Sequence, residues 1–231
     1  MSLLGSLRKE NPQFIGSMTA LITPFENGRL DVNSFKKIVN HQIKNGTDGL
    51  IPVGTTGESP TLSHDEHQKV VDVCIQESSG RVPIIAGAGS NSTKEASKLA
   101  SHAGKAGADA VLVVTPYYNK PTQSGLYSHF MSVADAAKIP LIVYDIPGRS
   151  IVPVHDSTLV KLCENHELIS GIKDATADIS RPPRLLRLIG SGFSQLSGED
   201  ATALPYLAAG GHGCISVSSN IAPKLLAEMH D

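Results

Sequence analysis

The stretch LISGIKDAT, residues 168–176, is where the fold begins to show itself. An apolar run without polar alternation ends at Lys173 and is followed at once by Asp174, Ala175 and Thr176. Such a run suits a parallel strand buried on both faces. Seven more runs of this kind occur, at 17–23, 49–53, 83–87, 110–115, 141–145, 194–197 and 214–217. Amphipathic stretches lie between them, at 32–45, 64–78, 92–106, 125–137, 157–165 and 180–189. Eight strands with interleaved helices, repeating about every 30 residues, predict a (β/α)8 barrel over a doubly wound sheet of five or six strands.

Local signals agree with that division. Asp31, Ser63 and Ser92 stand where helix N-caps belong, and Ser63 is followed by Glu66 at capping-box spacing. Gly46, Gly80 and Gly107 follow helix ends. Pro182 and Pro183 belong at a helix start, where a missing N–H costs little. No linker divides residues 1–231, which predicts one barrel domain.

Composition narrows the function. The 231 residues carry 20 basic and 22 acidic side chains, a net charge of −2 that argues against a nucleic-acid or anionic-membrane partner. No apolar run is long enough to cross a bilayer. The opening MSLLGSLRKENPQF has no long apolar core and no clear cleavage site, so no signal peptide is expected. Cys74, Cys163 and Cys214 are scattered and odd in number, which suggests reduced thiols in the cytoplasm. Cys163 is expected in a helix and Cys214 in a strand, both as packing residues.

A lysine where a buried strand gives out is poorly hydrated, which favours its neutral amine, and a neutral amine can attack a ketone to form a Schiff base. Other strand ends supply partners: Thr55 and Thr56 in GTTGE, Tyr117 and Tyr118 in TPYYN, Tyr144 and Arg149 in YDIPGR, and Gly198 in SGED. Barrel enzymes carry their chemistry at that end of the strands. Hydroxyls, phenols, an amine and a guanidinium suit amine catalysis with proton shuttling, and an arginine fork suits a substrate carboxylate. Each residue alone has a plainer reading. Lys173 can snorkel, Tyr144 can cap a core, Thr55 and Thr56 can belong to a turn, and Arg149 can be a solvated loop residue.

Taken in order, GTTGESPTLSHDEH (54–67), VTPYYNKP (114–121), YDIPGRS (144–150), GIKDAT (171–176) and GCISV (213–217) resemble the dihydrodipicolinate synthase (4-hydroxy-tetrahydrodipicolinate synthase) family. That family belongs to the pyruvate-dependent class I aldolases, with N-acetylneuraminate lyase. The resemblance spans residues 16 to 228. It implies that Lys173 condenses with pyruvate and that the resulting enamine attacks L-aspartate-4-semialdehyde, in diaminopimelate and lysine biosynthesis. It implies roles as well. Tyr144 moves protons at the imine, and Thr55 relays them to a Tyr118 supplied by a neighbouring subunit of a homodimer or homotetramer. Thr56 binds the pyruvate carboxylate, Arg149 the semialdehyde carboxylate, and backbone groups of Gly198 and Ile215 line the site. Within the superfamily, Arg149 and the Thr55-Thr56 pair favour the synthase over the sialic acid lyase. The alternatives are another pyruvate-dependent Schiff-base aldolase or lyase, and an inactive, shortened lysine-binding form.

The resemblance also implies a feedback site for L-lysine at Ser59, His64, His67, Asn91, Glu95 and Tyr117, where the plainer reading is a helix surface with two histidines one turn apart. Two departures stand out. Asp145 follows Tyr144 where the family usually has asparagine, so a carboxylate is expected near the site, raising the Tyr144 pKa or holding a cation. Family members also continue past the eighth barrel helix, whereas this sequence ends at Asp231, which leaves catalysis and tetramer formation open. His64-Asp65-Glu66-His67 lacks the spacing of a zinc helix, Gly87-Ala88-Gly89 lacks the third glycine of a dinucleotide loop, and no phosphate-binding loop occurs. No cofactor and no metal are expected.

Overall fold

The computed structural model describes residues 11–231. Most of the amino-terminal stretch read above for a signal peptide lies outside them. Eight parallel strands form one sheet: β1 (Gly16–Ala20), β2 (Gly49–Ile51), β3 (Ile85–Gly87), β4 (Ala110–Val114), β5 (Leu141–Asp145), β6 (Ile169–Asp174), β7 (Ser194–Ser197) and β8 (Gly213–Ser216). β1 pairs with both β2 and β8, so the sheet curls back on itself. A single parallel bridge between Leu50 and Ile84 joins β2 to β3 and closes the ring. The expected (β/α)8 barrel is present.

A helix follows each strand: α1 (Val32–Lys44), α2 (His64–Ser78), α3 (Thr93–Ala106), α4 (Gln123–Ala137), α5 (Asp156–Asn165), α6 (Arg181–Ile189), α7 (Ala203–Ala208) and α8 (Pro223–His230). The expected caps are made. Asp31 accepts from the Ser34 amide, Ser92 from the Glu95 amide, and Ser63 and Glu66 bond each other reciprocally. Gly107 ends α3 at φ 96°, a left-handed turn that glycine adopts at low cost. Pro182 and Pro183 fall in the first turn of α6. A two-residue hairpin (Phe25–Glu26 with Arg29–Leu30) and a one-turn helix (Pro147–Ser150) were not expected.

Side chains alternate across each strand and so divide into two cores. Met18, Ile51, Ile85, Leu112, Ile142, Leu196 and Ile215 fill the lumen. Leu50, Val111, Val113, Val143 and Ile172 face outward onto Phe35, Val70, Leu126, Phe130 and Leu185 of the helices. All three cysteines are buried thiols, Cys163 in α5 and Cys214 in β8. No helix among the described residues is long and apolar enough to cross a membrane.

Candidate active site

β5 and β6 run in register with Tyr144 opposite Lys173 and Asp145 opposite Asp174. Alternation turns the first pair into the lumen and the second pair outward. The lysine Nζ stands 4.4 Å from the centroid of the Tyr144 ring. Lys173 is 6% exposed and Tyr144 5%. Burial brings the amine down from its ordinary 10.5 to about 8, while Cys214 and Asp200 act in the opposite sense. At pH 7 that leaves roughly a tenth of the amine neutral, against about one molecule in 2,500 for an unperturbed lysine. Burial likewise raises the Tyr144 phenol, with Thr55 and Arg149 pulling it back. A nucleophilic amine and a proton-holding phenol therefore lie side by side, buried in the barrel lumen.

The carboxyl-terminal loops complete the surroundings. A Cβ added to Gly198 would lie 3.1 Å from Lys173 Cε and 2.9 Å from the Ala175 Cβ, so only glycine lets the β7 loop close over the lysine. Ile215, 1% exposed, supplies the apolar floor from β8. The one-turn helix after β5 carries Arg149 to the wall of a cavity of about 340 Å³ that Thr55 also lines. Several mouth residues take left-handed backbone conformations: Val53 at φ 50°, Tyr118 at 71° and Ile151 at 70°. For β-branched Val53 and Ile151 this is strained geometry, of the kind that clusters at functional loops.

The candidate lysine-binding residues open onto the same cavity. Ser59, His64, His67, Glu95 and Tyr117 line it beside Thr55 and Arg149. His64 Nε2 lies 2.6 Å from Glu95 Oε1, and the other Glu95 oxygen accepts from Ser90. The Ser90 and His64 bonds hold the Glu95 carboxyl below its usual range. Burial brings His67 down to about 4, so it stands neutral.

Not every expected residue converges. Asn91 is absent from the cavity wall, and its carbonyl accepts from Asn119 Nδ2 at 3.1 Å. Thr56 is half-buried and likewise outside the wall. Tyr118 is 87% exposed and forms no side-chain hydrogen bond among the described residues, so the relay to Thr55 is not assembled within one chain. The expectation for Asp145 needs correction. Its carboxylate faces away from the lumen and lies 2.8 Å from Arg181 Nη1, fully buried. It does not figure among the causes acting on Tyr144. The cation it holds is an arginine of the protein itself.

Two acidic residues at the end of β7 had been assigned no role. Asp200 Oδ2 accepts from the amides of Val217 and Ser218 at 3.0 and 2.9 Å, tying the β7 loop to the end of β8. Its charge reaches Lys173, and that of Glu199 reaches Tyr144. Their position at a strand end was the available signal. Among the described residues, no group of three or more His, Cys, Asp or Glu side chains is placed to hold a metal ion.

Known proteins share this fold and much of this sequence. The 4-hydroxy-tetrahydrodipicolinate synthase of Bradyrhizobium diazoefficiens is 62% identical over 218 residues, covering 94% of this chain and 73% of that protein. A chloride-inhibited dihydrodipicolinate synthase from Acinetobacter baumannii, solved with pyruvate, superposes with a TM-score of 0.89 at 46% identity, over 93% of this chain and 74% of the other. The enzyme from Cyanidioschyzon merolae, solved with lysine bound, gives 0.91 at 37% identity, over 94% and 74%. A family model matches residues 13–231, from just before the first strand through the last helix; with a buried lysine and phenol where the resemblance requires them, the chain belongs to the dihydrodipicolinate synthetase family.

Proposed function

We infer that the chain is a 4-hydroxy-tetrahydrodipicolinate synthase, condensing pyruvate with L-aspartate-4-semialdehyde through an imine on Lys173. One observation carries the reading: a buried amine, brought to about 8, lies 4.4 Å from a buried phenol ring inside the barrel. The neutral Lys173 amine adds to the pyruvate ketone, and the carbinolamine loses water to give the imine. Loss of a methyl proton gives the enamine, whose carbon attacks the semialdehyde aldehyde. The substrate amine then adds to the imine carbon, closes the ring and expels the Lys173 amine. Departure of water, loss of the methyl proton, protonation of the new alkoxide and release of the lysine each move a proton near Lys173, and Tyr144 is the neighbouring group suited to hold it.

The remaining roles are those the family resemblance implies, and placement supports several of them. Gly198 and Ile215 shape the pyruvate pocket around the lysine. Thr56, in the loop after β2, is assigned the pyruvate carboxylate by the family resemblance. Arg149, on the cavity wall, takes the semialdehyde carboxylate as a bidentate fork. Thr55 and Tyr118 extend the proton path. The exposed, strained Tyr118 is suited to enter the site of a second copy in a dimer or tetramer. Glu95 offers a carboxylate for the ammonium of a feedback lysine, with Ser59, His64, His67 and Tyr117 on the same wall; Asn91, outside that wall, is assigned to the site by the family resemblance alone. The reaction belongs to amino-acid biosynthesis in the cytoplasm.

Borohydride reduction in the presence of pyruvate, followed by peptide mass mapping, tests the reading. A stable adduct on Lys173 that is lost in Lys173→Arg is expected, together with turnover of pyruvate and the semialdehyde. An adduct without that turnover would assign the chain to another pyruvate aldolase. No adduct on Lys173 would end the imine mechanism.

A further inference from the structure

Behind the lysine and the phenol, on the outer side of the barrel, is a buried charge cluster. The residues that follow the pair on their strands, Asp145 and Asp174, point outward side by side beneath the first turn of α6. Arg181 fills the space between them. Its Nη1 lies 2.8 Å from Asp145 Oδ2 and 3.5 Å from Asp174 Oδ1. Its Nε bonds Asp156 Oδ1 at 3.0 Å, and its Nη2 donates to the Val154 carbonyl at 2.7 Å. Arg181 is 4% exposed, Asp174 2% and Asp145 0%. Among the described residues, Arg181 is the only cation within ion-pair distance of either Asp145 or Asp174.

We propose that Arg181 is a positioning residue for the reaction: its guanidinium clamps β5 to β6 from outside and so fixes the separation of Tyr144 and Lys173 inside. The proposal rests on the imine reading above. A strand transmits placement directly, because Asp145 and Tyr144 share a peptide unit, as do Asp174 and Lys173. The planar fork is the relevant property, since one guanidinium reaches three carboxylates and a carbonyl in set directions. An ammonium at the same place carries the charge without those directions. The network is anchored beyond the strands as well. The Thr176 amide and hydroxyl hold Asp174 Oδ1 at 3.0 and 2.7 Å, and Arg184 holds the second oxygen of Asp156 at 3.1 Å. Arg181 touches no reacting atom and acts only through the two strands.

The test separates positioning from mere support of the fold. Sites competent to form the imine are counted by borohydride trapping with pyruvate, and turnover is expressed per trappable site. For Arg181→Lys, kcat per site should fall about tenfold or more, since small misplacements of reacting groups have effects of that size, while the KM for pyruvate stays within about twofold. A merely structural residue would change the number of trappable sites or the melting temperature, and leave kcat per site alone. Wild-type kcat per site in Arg181→Lys would overturn the proposal. If that variant does not fold, Asp145→Ala and Asp145→Asn decide. The alanine removes the acceptor and should lower kcat per site, and the asparagine keeps an acceptor for the fork and should restore it. Equal, wild-type values for both would also overturn it. Failure of the underlying imine reading would show separately, as absence of the Lys173 adduct in the unmodified protein.

Discussion

At Lys173, function is set against stability. The native amine titrates near 8 and the unfolded one near its ordinary 10.5, so between those values the unfolded chain holds the extra proton. Below pH 8 the folded state bears the full cost of burying an ammonium, on the order of 3 kcal/mol, and that cost is relieved as the pH rises through the window. Lys173→Met, similar in volume and uncharged, should abolish imine trapping and raise stability at pH 7 by about that amount. Urea denaturation at pH 7 and pH 10 checks it: the advantage of the variant should shrink at the higher pH, and an equal advantage at both would refute the account. Much at this scale was legible. A lysine closing an apolar run already carried its own chemistry. Asp145 was misjudged because adjacency in sequence was read as adjacency in space, although alternation along a strand turns it away from Tyr144. Arg181 was missed because a charged residue in a helical first turn normally faces water. Only the packed structure shows it 4% exposed between two carboxylates.

Among the elements, the helix starts matter most, because α2 and α3 deliver the candidate regulatory residues. His64 and His67 occupy the first turn of α2, held by the Ser63–Glu66 box. Glu66 Oε2 accepts from the Ser63 amide at 2.9 Å. Ser63→Ala should cost about 1 kcal/mol of stability. Because the fraying falls on the turn that carries both histidines, it should also weaken inhibition by lysine while leaving pyruvate trapping unchanged. Thermal unfolding and lysine titration of turnover measure the two effects, and unaltered lysine inhibition would count against a feedback role for this turn. Elements with caps were readable to within a residue or two, as 64–78 and 92–106 show. Strand ends were less so. The run at 17–23 continues in apolar residues, yet β1 stops at Ala20. Hydrophobicity does not record where ladder pairing ceases. The one-turn helix at Pro147–Ser150 is too short for any periodicity to reveal, although it is what carries Arg149 to the cavity.

The whole molecule has a charge response that no single motif discloses. His67 and His129 lie in different helices, α2 and α4, and burial brings each from 6.5 to about 4. Both are neutral in the native barrel. As the pH falls below 6.5 the unfolded chain binds a proton at each site and the folded chain does not, so stability falls with pH until about pH 4. At pH 5 the pair should together have removed roughly 4 kcal/mol relative to pH 8. Asp145 works the other way, because burial raises its carboxyl and lets the native state take up a proton first, although Arg181 limits that effect. The net expectation is a loss of stability that begins near pH 6.5, above the range in which ordinary carboxylates titrate. His129 is the cleaner site to change, since its contacts are Thr93 and Phe130, away from the candidate active site. His129→Gln should lose about 2 kcal/mol less than the unmodified protein between pH 8 and pH 5, by denaturant unfolding at each pH. Matching pH dependence in the two proteins would mean that His129 takes up its proton without unfolding, and that the helical layer around it opens locally in acid.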